Sequence, residues 1–303
     1  MKTDLGRKQP SRNRRRPRRV PYRQSMQRSV GLRTTRLATA AASALGALFA
    51  TFIAIAPASA SQASHPCNAG VLVIGVRGTN APAGSSPTPS GHAWHAGGWG
   101  NNIVGIANYF TTNLPYNSEW PTYIESINYP AKGGIDEPDS VMAGANQLAA
   151  ELRWIDTVCA VRPLIVIAGH SQGAEVIDLG LADPSLSARI RGQIRAVAEF
   201  GDPRYLRGYL IDYKPPAGSA QGLFSMSFGT MQALVNNYKY TGWDQGSTSP
   251  SPTTLSKIRS YCKAGDFYCQ SNVGDANLSI HNSYAGLMPQ VASWMNYRLM
   301  QPN

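Results

Sequence analysis

Short runs of apolar, β-branched residues recur through the second part of the chain, separated by segments whose apolar positions return every three or four residues. Val71 to Val76 is continuously apolar and predicts a buried strand. Pro163 to Ala168 (Pro-Leu-Ile-Val-Ile-Ala) gives the strongest strand signal, Ile194 to Phe200 a third, and Tyr123 to Asn128 a weaker one. Ser256 to Tyr261 fits a last core strand. Between them, Pro138 to Val158 carries Val141, Ala145, Leu148, Leu152 and Ile155 at helical spacing, with Pro138 in the first turn where its missing N–H costs nothing. A second helix is expected to begin at Gln172, and a terminal one within Asn282 to Met300, started late by Pro289. Strands alternating with helices predict an α/β fold, a central, mainly parallel sheet sandwiched between helical layers. Two stretches break the rhythm: the Gly/Pro/Ser-rich Asn80 to Gly100, and the long aromatic region Tyr205 to Thr254, which reads equally as a binding wall and as a surface subdomain packing its own rings.

Composition changes this picture at one end. The chain has 303 residues and a net charge of +11, yet residues 1–60 carry 13 Lys and Arg against the single acid Asp4, so the remainder is close to neutral. A basic footprint confined to a leader argues against a nucleic-acid partner. The leader has an Arg-rich start through Arg36, an apolar run from Leu37 to Ala56, and the small-residue site Pro57-Ala58-Ser59-Ala60. It reads as a signal peptide cleaved after Ala60, leaving residues 61–303 as one secreted domain, with an uncleaved anchor as the alternative. Met26 would be a more ordinary start than Met1. Cys67, Cys159, Cys262 and Cys269 all follow the leader, an even count that suits two disulfides in an oxidising compartment. Three pairings are open. The short loop favours Cys262 with Cys269, which leaves Cys67 with Cys159. No C-x2-C spacing occurs and His92-Ala93-Trp94-His95 is too slight, so no metal site is expected.

Gly169-His170-Ser171-Gln172-Gly173 follows the strongest strand and opens a helix, the context of a nucleophile elbow. A strand that reverses sharply into a helix brings the positions two before and two after the serine against neighbouring backbone, where a Cβ would not fit. Serine needs a base and an acid to orient it. Of five histidines only His281 follows Ser171; His170 lies inside the elbow, its side chain expected to point elsewhere. For the acid, Asp266, within the Cys262–Cys269 loop, is favoured by chain order over Asp202, which reads as a turn residue before Pro203; Asp275 lies in a flexible-looking stretch. The oxyanion donors expected are the backbone N–H of Gln172 and Thr79, at the end of the first strand.

Arg77-Gly78-Thr79, Cys159, Gly-His-Ser-Gln-Gly, the loop Cys-Lys-Ala-Gly-Asp-Phe-Tyr-Cys at 262–269 and His281 together resemble the cutinases and bacterial cutinase-like serine esterases. The resemblance implies an α/β hydrolase with Ser171, Asp266 and His281 as triad and Thr79 and Gln172 as oxyanion hole, and the same cysteine pairing. It implies a cofactor-free, monomeric hydrolase of ester or lipid-like substrates that works at a cell-wall or lipid surface. Cell-wall mycolyl esters and acetylated polysaccharides are alternative substrates on the same fold. A non-catalytic exported lipid- or glycan-binding protein is the rival from another class.

Overall fold

The structure is a computed structural model and describes residues 63–85, 97–112, 120–208, 211–214, 220–225, 257–276 and 278–301. The predicted leader, much of the Gly/Pro/Ser-rich insertion and most of Tyr205 to Thr254 lie outside the described residues.

Among the described residues, five strands form one sheet in the order β2-β1-β3-β4-β5, every neighbouring pair parallel. They are β1 (Val71–Val76), β2 (Thr122–Ser126), β3 (Leu164–His170), β4 (Ile194–Phe200) and β5 (Ile258–Tyr261). The α-helices among the described residues are α1 (Val104–Thr112), α2 (Glu137–Val158), α3 (Gln172–Leu181), α4 (Ala188–Gln193) and α5 (Met288–Leu299). The continuous apolar run of β1 has its explanation in two helical layers. Leu72, Ile74 and Val76 share a core with Leu148, Leu152 and Ile155 of α2 and Val176 and Ile177 of α3. Val71 and Val73 pack on the opposite face with Ile106 and Phe110 of α1 and Val291 and Met295 of α5.

Most expected elements lie within two residues of their sequence limits. β3 runs on to His170, directly into the elbow, because its last residues pair with Glu199 and Phe200 of β4. α5 begins only at Met288, with Pro289 in its first turn, after the single 3-10 turn Tyr284–Leu287. Helices α1 and α4 were not anticipated. Ser187 caps α4, its Oγ accepting the Ile190 N–H at 3.2 Å. The described ends of the 205–254 region join the core: Tyr205 is buried, Gly222 N–H donates to the Tyr205 carbonyl, and Asp212 bridges to Ser260 of β5.

Disulfides join Cys67 to Cys159 and Cys262 to Cys269, the pairing that loop length favours. The first ties the segment before β1 to the end of α2; the second closes the loop after β5.

Candidate active site

The elbow sits where β3 turns into α3. Ser171 has φ 56° and ψ −125°, a positive-φ conformation that costs a non-glycine residue about 1–3 kcal/mol. Neighbouring backbone enforces it: a Cβ at Gly169 would stand 2.6 Å from the Gly173 carbonyl oxygen, and one at Gly173 would collide with the Val76 and Arg77 carbonyls. Both glycines are therefore explained by close approach, and Ser171 N–H is held by the Phe200 carbonyl at 2.8 Å.

Ser171, His281, Thr79 and His170 line one cavity of about 670 Å³. His281 Nδ1 lies 3.0 Å from both carboxylate oxygens of Asp266, which is fully buried. Asp266 also receives the backbone N–H groups of Tyr268 at 2.7 Å and Cys269 at 3.0 Å, and the Tyr284 hydroxyl at 2.8 Å. Burial alone would raise its pKa; the hydrogen bond and charge of His281, the Cys269 N–H and Tyr284 outweigh burial and hold it below the ordinary carboxylate value. With Asp266 ionised, Nδ1 carries the proton and Nε2 is the basic nitrogen. Nε2 is buried and makes no hydrogen bond, so Ser171 and His281 share the cavity without an Oγ–Nε2 hydrogen bond.

Asp202, the competing acid, is buried at the end of β4, where its Oδ1 accepts the Arg204 N–H at 2.8 Å. It is a turn residue as expected, but an interior one. Asp275 is no loose-loop residue: its carboxylate receives the backbone N–H groups of Ile280 and His281, each at 3.0 Å, and so fixes the segment that carries His281.

His170 does not point away from the site. Its ring lies 4.7 Å from that of His281, and Nε2 donates to the His281 carbonyl at 2.9 Å. The Asn102 amide reaches the same ring, while Asn102 Oδ1 accepts the Tyr284 N–H at 3.1 Å. Burial, then the charge of His281, pushes the His170 pKa down to about 4, so its ring is neutral at ordinary pH. Neither Asn102 nor Tyr284 stood out in the sequence, because each acts through contacts with residues more than a dozen positions away.

Thr79 stands on a loop clamped by Arg77. The Arg77 guanidinium donates to the carbonyls of Ala81 at 2.9 Å and Ile127 at 3.1 Å and to that of Tyr129, and the Tyr129 hydroxyl donates back to the Arg77 carbonyl. The Gln172 side chain is tied away from the cavity, accepting from Ser140 and donating to the Lys132 carbonyl, so only its backbone N–H, at the start of α3, is available to an anion.

The cutinase family model matches residues 66–299. Acetylxylan esterase 2 of Talaromyces purpureogenus is 29% identical over 178 residues, covering 53% of this chain and 65% of that protein. The chain thus spans just under two thirds of that relative's length. Carboxylesterase Culp1 of Mycobacterium bovis is 26% identical over 262 residues, covering 84% of this chain and 94% of its own. Among solved structures, the catalytic core of acetyl xylan esterase from Trichoderma reesei is similar at 25% identity with a TM-score of 0.52, covering 76% of this chain and 98% of that one. Since the match takes in the elbow, the disulfide-closed loop and His281 alike, the chain belongs to the cutinase family, a family of carboxylic ester hydrolases.

Proposed function

We propose that the protein is a secreted serine esterase in which Ser171 attacks the ester, His281 moves the proton and Asp266 orients and charges the imidazole. The observation that carries this reading is the His281 ring: one nitrogen is locked to a buried carboxylate, the other has no hydrogen-bond partner, and the residue lines the same cavity as Ser171. The Oγ–Nε2 hydrogen bond has to form as the ester enters, as catalytic hydrogen bonds commonly do. His281 Nε2 then takes the Ser171 proton while Oγ bonds to the acyl carbon. The tetrahedral oxyanion is met by the Gln172 N–H and by Thr79. The C–O bond breaks, the alkoxide leaves with the proton from His281, and water repeats the cycle on the acyl-enzyme. Export, with removal of residues 1–60, is part of the proposal and is supported by the two disulfides.

A second, narrower reading concerns the substrate. The cavity is lined by Asn80, Asn101 and Asn282 beside Trp99 and Tyr268. Such a surface suits a short acyl group on a hydroxyl-rich alcohol, the chemistry named in the acetylxylan esterase relatives.

An organophosphonate is expected to label the protein stoichiometrically at Ser171, and Ser171→Ala to lower turnover of p-nitrophenyl esters by about 10⁶. Labelling elsewhere, or wild-type turnover no greater than that of the variant, would overturn the assignment in favour of a binding protein. Across acyl lengths, the acetyl ester is expected to be turned over fastest; a maximum at long chains would reject the narrower reading alone.

A further inference from the structure

A second set of acidic side chains meets beneath the elbow, and the ester reaction has no use for it. In β4, Val197 belongs to the core shared with α2 and α3, so Glu199, two positions on, points towards α3. There it meets Asp178 of α3, and Asp202 closes the group from the turn after β4. Asp178 and Glu199 are 0% exposed and Asp202 1%. One carboxylate oxygen from each lies within 4.8 Å of the others.

An independent observation points to a ligand. Neither oxygen of the fully buried Glu199 meets an N–H or hydroxyl donor; its hydrogen-bonding neighbour is another carboxyl, that of Asp178. Arg204 serves two other carboxylates, its Nε lying 2.8 Å from Glu175 and its N–H and charge acting on Asp202, and supplies no hydrogen bond to Glu199. Three carboxylates out of water cannot all stay ionised without a counter-charge, and two carboxyls in contact can share only a proton or a cation. A ligand set made wholly of anionic oxygens selects a hard divalent ion. Oxygens bound to one calcium at about 2.3–2.6 Å stand no more than about 5 Å apart, which is the spacing here.

We propose that Asp178, Glu199 and Asp202 form a buried calcium-binding site that fastens α3 to the end of β4, beneath the nucleophile elbow. Calcium takes six to eight oxygens, so the three carboxylates supply part of the sphere and leave the rest to bidentate contacts, carbonyls or water. No sequence motif announces such a site, because its ligands come from a helix, a strand and a turn that meet only in the fold. The proposal does not depend on the esterase reading, and its test does not read activity.

The protein, equilibrated with calcium and dialysed into metal-free buffer at pH 7.5, is expected to retain one calcium per chain by elemental analysis. Calcium at a hundredfold excess over its Kd should raise the Tm by about 5–10 °C, an increment that a chelator removes. Glu199→Gln should lose both the ion and the chelator sensitivity, and Asp202→Asn supplies the same comparison if that variant does not fold. Three results would overturn the proposal: no retained metal with a Tm indifferent to calcium and chelator, retention of zinc instead, or calcium retained unchanged in the variants. In the first case the carboxyls hold protons. The wild-type Tm should then fall as rising pH forces Glu199 to ionise against Asp178, Asp202 and Asp212.

Discussion

Asp266 keeps its charge in a fully buried position because the imidazole, two backbone N–H groups and the Tyr284 hydroxyl meet its lone pairs. Its depressed pKa contributes stability that is present above the unfolded value of about 3.9 and is lost as pH falls through the lower folded value. Replacing it by Asn leaves the packing but favours the wrong imidazole tautomer, so Asp266→Asn is expected to lower kcat by about 10⁴ with the Tm little changed. A kcat within tenfold of wild type would remove Asp266 from the mechanism. His170 works differently: neutral, it donates to the backbone of His281. Its folded pKa, down at about 4, lies below the unfolded value of about 6.5, so the unfolded chain binds more protons between these limits. Stability therefore falls as pH drops from about 6.5 to 4, by on the order of 3 kcal/mol. Urea unfolding of His170→Gln across that window should show a shallower pH slope than wild type; an unchanged slope would assign the titration to other groups.

At the scale of elements, the contact between α2 and the edge strand β2 carries an acid pair. Glu125 and Glu151 are both buried, and Glu151 Oε1 accepts from Gln147 at 2.8 Å. Burial, chiefly, raises the Glu151 pKa to about 7, and burial together with the charge of Glu151 raises Glu125 well above its usual value. A carboxyl raised in the fold stabilises below its unfolded pKa, and that contribution disappears as pH rises through the folded one. Glu151→Gln is accordingly expected to flatten the decline of stability between about pH 4.5 and 7, checked by denaturant midpoints against wild type. The elements also show where local signals fail. α1 reads Val-Gly-Ile-Ala-Asn-Tyr-Phe-Thr-Thr, with Gly105 and β-branched residues that lower helix propensity. It is helical because Ile106 and Phe110 are buried with Val291 and Met295 of α5, and a Cβ at Gly105 would stand 2.8 Å from Met288. α4, by contrast, carried a readable start in its Ser187 cap.

Over the whole molecule, the Cys67–Cys159 disulfide closes the longest covalent loop, 92 positions, and the Cys262–Cys269 bond only 7. Chain entropy assigns them about 4.6 and 2.5 kcal/mol. Removing the first pair with Cys67→Ala and Cys159→Ala should lower unfolding free energy by about that larger amount while leaving kcat nearly unchanged. Removing the second should cost less stability but more activity, because it frees the loop that holds Asp266. The reverse ranking of the two in kcat would argue against this division of roles. Sequence by itself determined the sheet and the elbow, since strands buried on both faces must be apolar throughout and a strand-to-helix reversal admits only glycine at its two close approaches. It also narrowed the proposed triad, because one histidine alone follows Ser171. Tertiary structure decided the rest. That His170 holds the His281 segment, that Tyr284 completes Asp266, and that Asp178 converges with Glu199 and Asp202 are contacts between distant positions. Local periodicity carries no information about which polar groups folding will bury together, and only burial makes their pairing obligatory.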